Sequence, residues 1–321
     1  MEKDKPLDMK SYLKINSEVG FMLLLRKRGA LAIGVLIDHL PRRDKIMYLK
    51  EERFTRGTYH KEDEPTLRVL SLGAGVQSST ILLMMMKGEI KPADVCIFAD
   101  TGNEPKEVYE HLEKLKVIST IPIHVVGTSN IVQDVYDDVN NGFIKIPLYT
   151  RNENGKIGIS RRQCTSDYKI KPIQREIRRI LGRQRLRYTS IEIVLGVSYD
   201  EMRRMAYPEK EWGINCYPLV ANLITREDCI KYYEDNGMPK PPRSACIMCP
   251  YRSDSEWLEM KEEKPQEFAE AVEFDYRVRD MQTMKHYVSR HGIPLDKVDF
   301  TKGMNQDKEL IDIECQGYCG Y

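Results

Sequence analysis

The feature that most constrains this chain is a regular alternation, starting at Thr66, of short β-leaning runs and helix-length segments. Leu67-Arg68-Val69-Leu70-Ser71-Leu72 is the first run, and Ser78 to Lys87 reads as a helix carrying Ile81, Leu82, Leu83, Met84 and Met85. A second strand is expected at Asp94 to Asp100, a helix from Pro105 to Lys116, and a third strand at Ile121 to Val126. Ile131 to Val139 reads as a further helix and Ile191 to Val197 as a fourth strand. Strands that alternate with helices of this length imply an α/β fold, a parallel sheet with helices on both faces. Ligands of such sheets gather at the carboxyl ends of the strands.

The flanks differ. Residues 1–65 mix apolar patches with charge and end in Lys61-Glu62-Asp63-Glu64-Pro65, which reads as a mostly helical N-terminal appendage and linker. The apolar stretch Phe21 to Leu40 is interrupted by Arg26, Lys27 and Arg28, so no membrane span is expected. Met1 to Lys10 carries charges of both signs, unlike a signal peptide, and a cytoplasmic location is the expectation. Residues 66–206 form the expected nucleotide-binding α/β domain. In residues 207–321 helices are expected at Thr225 to Asn236, Ser253 to Glu263 and Pro265 to Tyr287, alongside most of the cysteines. With 50 Lys+Arg against 49 Asp+Glu, a polyanion site would have to be local.

Ser71-Leu72-Gly73-Ala74-Gly75-Val76-Gln77-Ser78-Ser79-Thr80 joins the first strand to the first helix. Two glycines let backbone approach a ligand, and a helix N-terminus follows with hydroxyl side chains. The loop lacks the Gly-Lys-Ser/Thr of a Walker A motif and the third glycine of a dinucleotide turn. Phe98-Ala99-Asp100-Thr101-Gly102-Asn103-Glu104-Pro105 closes the second strand.

Together the two segments resemble the PP-loop ATP pyrophosphatase superfamily, in its phosphoadenosine phosphosulfate (PAPS) reductase-like, adenine nucleotide alpha hydrolase-like branch. The resemblance spans about residues 66–250 and includes Gly196-Val197-Ser198-Tyr199-Asp200-Glu201-Met202-Arg203-Arg204 after the fourth strand. It implies ATP or another adenine nucleotide, with Mg2+ accompanying ATP. The implied contacts are Ser71, Gly73, Ala74, Gly75, Val76, Gln77, Ser78, Ser79, Asp100, Thr101, Gly102 and Gly196, with Arg203 near the reacting groups.

Eight cysteines in a reducing compartment are thiols or metal ligands rather than disulfides. Cys164 sits among basic groups in Arg161-Arg162-Gln163-Cys164-Thr165-Ser166-Asp167-Tyr168-Lys169-Ile170-Lys171-Pro172, and Cys246-Ile247-Met248-Cys249 is a C-x-x-C turn. Two thiolates of such a turn can share one metal or cluster, with Cys164 joining in three dimensions. This looks like the iron–sulfur sulfonucleotide reductase pattern with Gln163 in place of one cysteine. The resemblance implies a [4Fe-4S] cluster on Cys164, Cys246 and Cys249, zinc being the alternative, and anion contacts from Arg162, Lys169 and Lys171. The ending Glu314-Cys315-Gln316-Gly317-Tyr318-Cys319-Gly320-Tyr321 matches a poorly characterised reductase-like group. Cys319 or Cys315 is then a nucleophile, or Cys319 a fourth ligand. Cys96, Cys216 and Cys229 are expected to be core or unspecialised thiols.

Lys169 to Arg187 is strongly basic and, on a helix, offers an anion site or a nucleic-acid backbone track. None of the histidines shows ligand spacing. Three activities follow: adenylation of an acceptor and sulfur transfer, reduction of a sulfonucleotide, or nucleotide sensing with a structural metal. A sulfur donor or thioredoxin-like reductant would be the partner, and no membrane.

Overall fold

The computed structural model describes residues 22–27, 30–35, 53–55, 65–127, 129–137, 145–182, 191–208, 210–280 and 285–302. By contact density the chain divides into Met1–Glu51 and Glu52–Tyr321. In the first unit, β1 (Met22–Lys27) and β2 (Ala30–Val35) pair antiparallel, with Lys27 opposite Ala30. The expected helical appendage is therefore a hairpin where it is described. The β-branched Ile33 and Val35, registered against Leu24 and Met22, favour strand over helix.

The second unit is α/β, built on a six-stranded sheet of order β3-β10-β9-β4-β5-β6. Its strands are β3 (Arg53–Thr55), β4 (Leu67–Ser71), β5 (Val95–Ala99), β6 (Ile123–Val126), β9 (Ile191–Val194) and β10 (Gly213–Cys216). All pairs are parallel except β3 on β10. A second, three-stranded sheet has order β11-β7-β8, from β7 (Tyr149–Arg151), β8 (Ile157–Ile159) and β11 (Lys285–Tyr287). The helices are α1 (Val76–Met86), α2 (Lys106–Ile118), α3 (Ile131–Asp137), α4 (Lys171–Leu181), α5 (Pro218–Ala221), α6 (Arg226–Asp235), α7 (Asp254–Glu263) and α8 (Pro265–Val278). None is long and apolar enough to cross a membrane.

Strand periodicity explains the two cores. Leu70, Cys96 and Phe98 face α1 and α2, where Ile81, Leu82, Met85, Leu112 and Leu115 are buried. Their neighbours Val69, Ile97, Ile191 and Ile193 face the opposite side and meet Ile173 and Ile177 of α4. The ion pair Arg68–Glu192, between residues paired across β4 and β9, is buried within the sheet. A third cluster gathers Trp257, Phe268, Phe274, Leu148 and Val288.

β10 lies in the segment expected to be helical and extends the sheet through β9. The expected helix from Pro265 to Tyr287 stops at Val278, and Lys285–Tyr287 is a strand. Asp275 is the physical reason: its buried carboxylate accepts from Val288 N–H (2.7 Å) and Leu295 N–H (3.1 Å), pulling the returning chain against α8. Thr225 and Ser253 start α6 and α7 through reciprocal capping boxes with Asp228 and Glu256.

Strand order fixes where a ligand can lie. From β4 the chain moves outward to β5 and β6, then returns to the other side of β4 as β9. The connections after β4 and β9 thus diverge, which opens a crevice between the carboxyl ends of these neighbours.

Candidate functional site

One wall of the crevice is the loop from Leu72 to Gly75. Ala74 has a φ of 55°, a left-handed conformation that side chains disfavour and that turns the backbone sharply into α1. Gly75 is the N-cap without a side-chain cap bond, and no acidic residue stands in the first turn. The N–H groups and helix dipole there suit an anion. The serine hydroxyls do not point there. Ser78 Oγ accepts from Gly73 N–H (3.1 Å), closing the loop on itself, and Ser79 Oγ lies 3.2 Å from His111 Nε2 of α2. Both serines are fully buried. Burial, aided by Lys114, pushes the His111 imidazole down to about 4, so it holds Ser79 as a neutral ring.

The other wall follows β9. Gly196, Val197 and Ser198 are buried and lead into a 3-10 turn at Tyr199–Arg204. Glu201, 1% exposed, accepts from Gln77 Nε2 (3.2 Å) and from Arg204 Nη1 (2.7 Å), tying the two walls together. Arg203, the residue implied by family resemblance, is exposed beside this bridge. The Glu201–Arg204 pair is local, at i and i+3, but nothing in the sequence announces the contact with remote Gln77.

The loop after β5 carries the cysteine chemistry. Asp100 Oδ1 accepts from Gly102 N–H (2.7 Å) and the Tyr109 hydroxyl (2.8 Å), so it braces its own turn. Thr101 Oγ1 lies 3.3 Å from Cys246 Sγ and 3.5 Å from Glu104 Oε1. Asn103 C=O accepts from Ile247 N–H at 2.9 Å. These bonds fasten the C-x-x-C turn to the carboxyl end of β5, whose neighbour β4 carries the Gly73 loop.

The turn is shaped from within by Arg252. Its buried guanidinium donates to the carbonyls of Ala245 (3.1 Å), Cys246 (3.2 Å) and Ile247 (3.2 Å). Burial and the nearby Arg243 pull this guanidinium down to about 10, while Cys249 and Cys246 oppose that shift. It remains a cation beside two thiols. Cys164 and Cys246 pack half-buried against the same apolar cluster, and Arg162 stacks 5.2 Å from the Tyr251 ring. The segments bearing Cys164 and Cys249 are therefore neighbours. Among the described residues, no three Cys, His, Asp or Glu side chains form a group able to hold a metal ion. Cys315 and Cys319 lie outside the described residues, while Cys96, Cys216 and Cys229 are buried core thiols.

The two lysines after Cys164 part company. Lys169, on a π-helical turn at Thr165–Ile170, is buried and pairs with buried Glu104 (3.3 Å). It points inward, away from the basic surface on which the sequence places it. Lys171 begins α4, is exposed, and pairs with Asp167. Residues 183–190 lie outside the described segments.

No family model matches this chain, and no curated protein does. Among solved structures it aligns with phosphoadenylyl-sulfate (PAPS) reductase from Candida auris in a phosphate complex. The identity is 14%, the alignment covers 64% of this chain and 84% of that one, and the TM-score is 0.34. Similarity of that size carries nothing about this chain's activity.

Proposed function

We propose that this protein is an adenine-nucleotide-dependent enzyme of sulfur chemistry, in which nucleotide phosphates sit at the Gly73 loop and cysteine thiols act from the adjoining loop. The observation that carries it is the attachment of the C-x-x-C turn to the end of β5 through Thr101–Cys246 and Asn103–Ile247. Backbone anion donors and thiols then share one edge of the sheet, on neighbouring strands.

In this reading the N–H groups of Ala74 to Val76 and the α1 dipole hold phosphate oxygens, while the Gly73 N–H is held by Ser78 Oγ. Ser78 and Ser79 keep the loop in shape rather than binding phosphate directly. ATP is cleaved between its α and β phosphates: an acceptor oxygen attacks the α phosphorus and pyrophosphate leaves. A sulfur nucleophile then attacks the activated acceptor atom, and AMP departs with the oxygen. Soft thiol donors at Cys164, Cys246 and Cys249 suit a [4Fe-4S] cluster or zinc by chemistry, but their side chains do not converge on one metal position, so no step is routed through such a group. Cys319 or Cys315 remains the proposed partner thiol.

The test is incubation of the whole protein with ATP and, separately, with adenylyl sulfates, resolving products and metal content. Pyrophosphate and AMP from ATP support sulfur transfer. Sulfite from an adenylyl sulfate supports the reductase, and binding without turnover reduces the protein to a nucleotide sensor. Absence of adenine-nucleotide binding in calorimetry would remove the reading altogether.

A further inference from the structure

Beyond Asp100, on the side away from the crevice, the carboxyl ends of β5 and β6 border an open cleft of ≈ 250 Å³. Its lining includes Asp100, Gly127, Asp167, Arg175, Glu176 and Arg179. Gly127 has a φ of 110°, and a Cβ there would fall 2.2 Å from the Asp100 carbonyl oxygen, so the floor is bare backbone. The charges lining the cleft are unequally answered. Asp100 accepts from Gly102 N–H and Tyr109, and Asp167 pairs with Lys171. Glu176 accepts twice from Arg179 (2.7 and 2.8 Å) and contacts His124 Nδ1 (2.7 Å). Arg175 is exposed and has no hydrogen bond or ion pair with any described residue. Arg175 is thus a cation without a counter-ion among the described residues at the edge of the cleft, and an anion would satisfy it.

The basic face continues outside the cleft. Lys171, Arg175, Arg178 and Arg179 are the exposed residues of α4 over its first three turns, while Ile173, Gln174, Glu176 and Ile177 are buried. Arg178, like Arg175, has no partner among the described residues. One phosphate needs one or two of these cations. A row along a helix fits successive phosphates of one polymer strand, and the small cleft admits only a single-stranded segment.

We propose that the cleft and the exposed face of α4 bind single-stranded nucleic acid, with Arg175 and Arg178 contacting backbone phosphates. Thr101, next in sequence to Asp100, touches Cys246, so a nucleotide in the cleft would lie one residue along the loop from a thiol. Its meaning as the acceptor rests on the functional reading above; the binding itself does not.

The test is a salt series of fluorescence anisotropy titrations on the whole protein with a short single-stranded oligonucleotide. Wild type is compared with Arg175→Ala, Arg178→Ala and the double variant. Each lost phosphate contact should flatten the slope of log affinity against log salt by about 0.7, and the double variant by about 1.4. Melting temperature should stay put, since both side chains are exposed. An unchanged slope, or no oligonucleotide binding by the wild type, overturns the proposal. AMP or inorganic phosphate competing as well as the oligonucleotide would also overturn it, as the signature of a single-phosphate site. ATP calorimetry on the same variants keeps the two ideas apart: failure to bind ATP sinks the Gly73-loop reading and leaves the salt slopes to decide this one.

Discussion

Replacing Lys169 by Met separates the two roles this residue can have. If it is a ligand contact, as its place in the basic motif implies, its loss should weaken nucleotide binding and leave the fold intact. The structure assigns it to Glu104, with a 3.3 Å contact between side chains only 5% and 0% exposed. Removing one partner of a buried pair strands the other charge, which costs about 3–5 kcal/mol. Thr101 also donates to the same Glu104 oxygen at 3.5 Å, so the lower end, about 3 kcal/mol, is the expectation. At about 2 °C per kcal/mol for a domain of this size, Tm should fall by roughly 6 °C. The double variant Lys169→Met/Glu104→Gln removes the stranded charge and should recover most of that loss. Scanning calorimetry of ligand-free protein at neutral pH reads all three. A single variant with unchanged Tm, or a double variant no more stable than the single, would refute the pairing argument and return Lys169 to the ligand.

Gly127→Ala should be strongly destabilising, by more than the ~1 kcal/mol of an ordinary glycine replacement, because the new Cβ collides with the Asp100 carbonyl at 2.2 Å; a normal melting temperature for this variant would disprove the close approach. His111 makes stability acid-sensitive. Its imidazole is held down to about 4 when folded, so the unfolded chain takes a proton first, and stability is full above about pH 6.5 and drains away toward pH 4. The loss amounts to roughly 3 kcal/mol, and denaturant titrations of wild type and His111→Gln should diverge as the pH changes across this window. A constant difference between the two would exclude His111 as the cause.

Much of the sheet was legible because β4, β5 and β9 are buried and rich in Leu, Ile and Val, with Arg68 and Glu192 answering each other across the sheet. β10 was not, since Gly213-Ile214-Asn215-Cys216 offers one β-branched residue in four. The Asn215 amide is satisfied by Ala206 C=O and the Tyr217 hydroxyl in the folded chain. The turn after β4 was legible from its glycines, but Ser78 bonds back to Gly73 and Ser79 turns inward to His111, which no local pattern announces. The same holds for Glu104 with Lys169 and for Thr101 with Cys246: each pair is a tertiary meeting of distant segments. The basic character of Lys169 pointed to an anion, and a buried carboxylate supplied one from within the protein.

The π-helical turn between Cys164 and α4 takes up extra chain length. Such turns accommodate one more residue than an α-helix does over the same span. Deleting a single residue between Thr165 and Ile170 would let the turn relax to α geometry without disturbing the anchored Ile173 and Ile177. Cys164 would then keep its direction about the helix axis and stay with the apolar cluster it shares with Cys246, because the residue removed is the one the wide turn accommodates. The turn is therefore slack in the chain's length: a deletion there spares the packing of this cysteine, whereas a deletion inside α4 itself would turn Cys164 away by the rotation of one residue, about 100°.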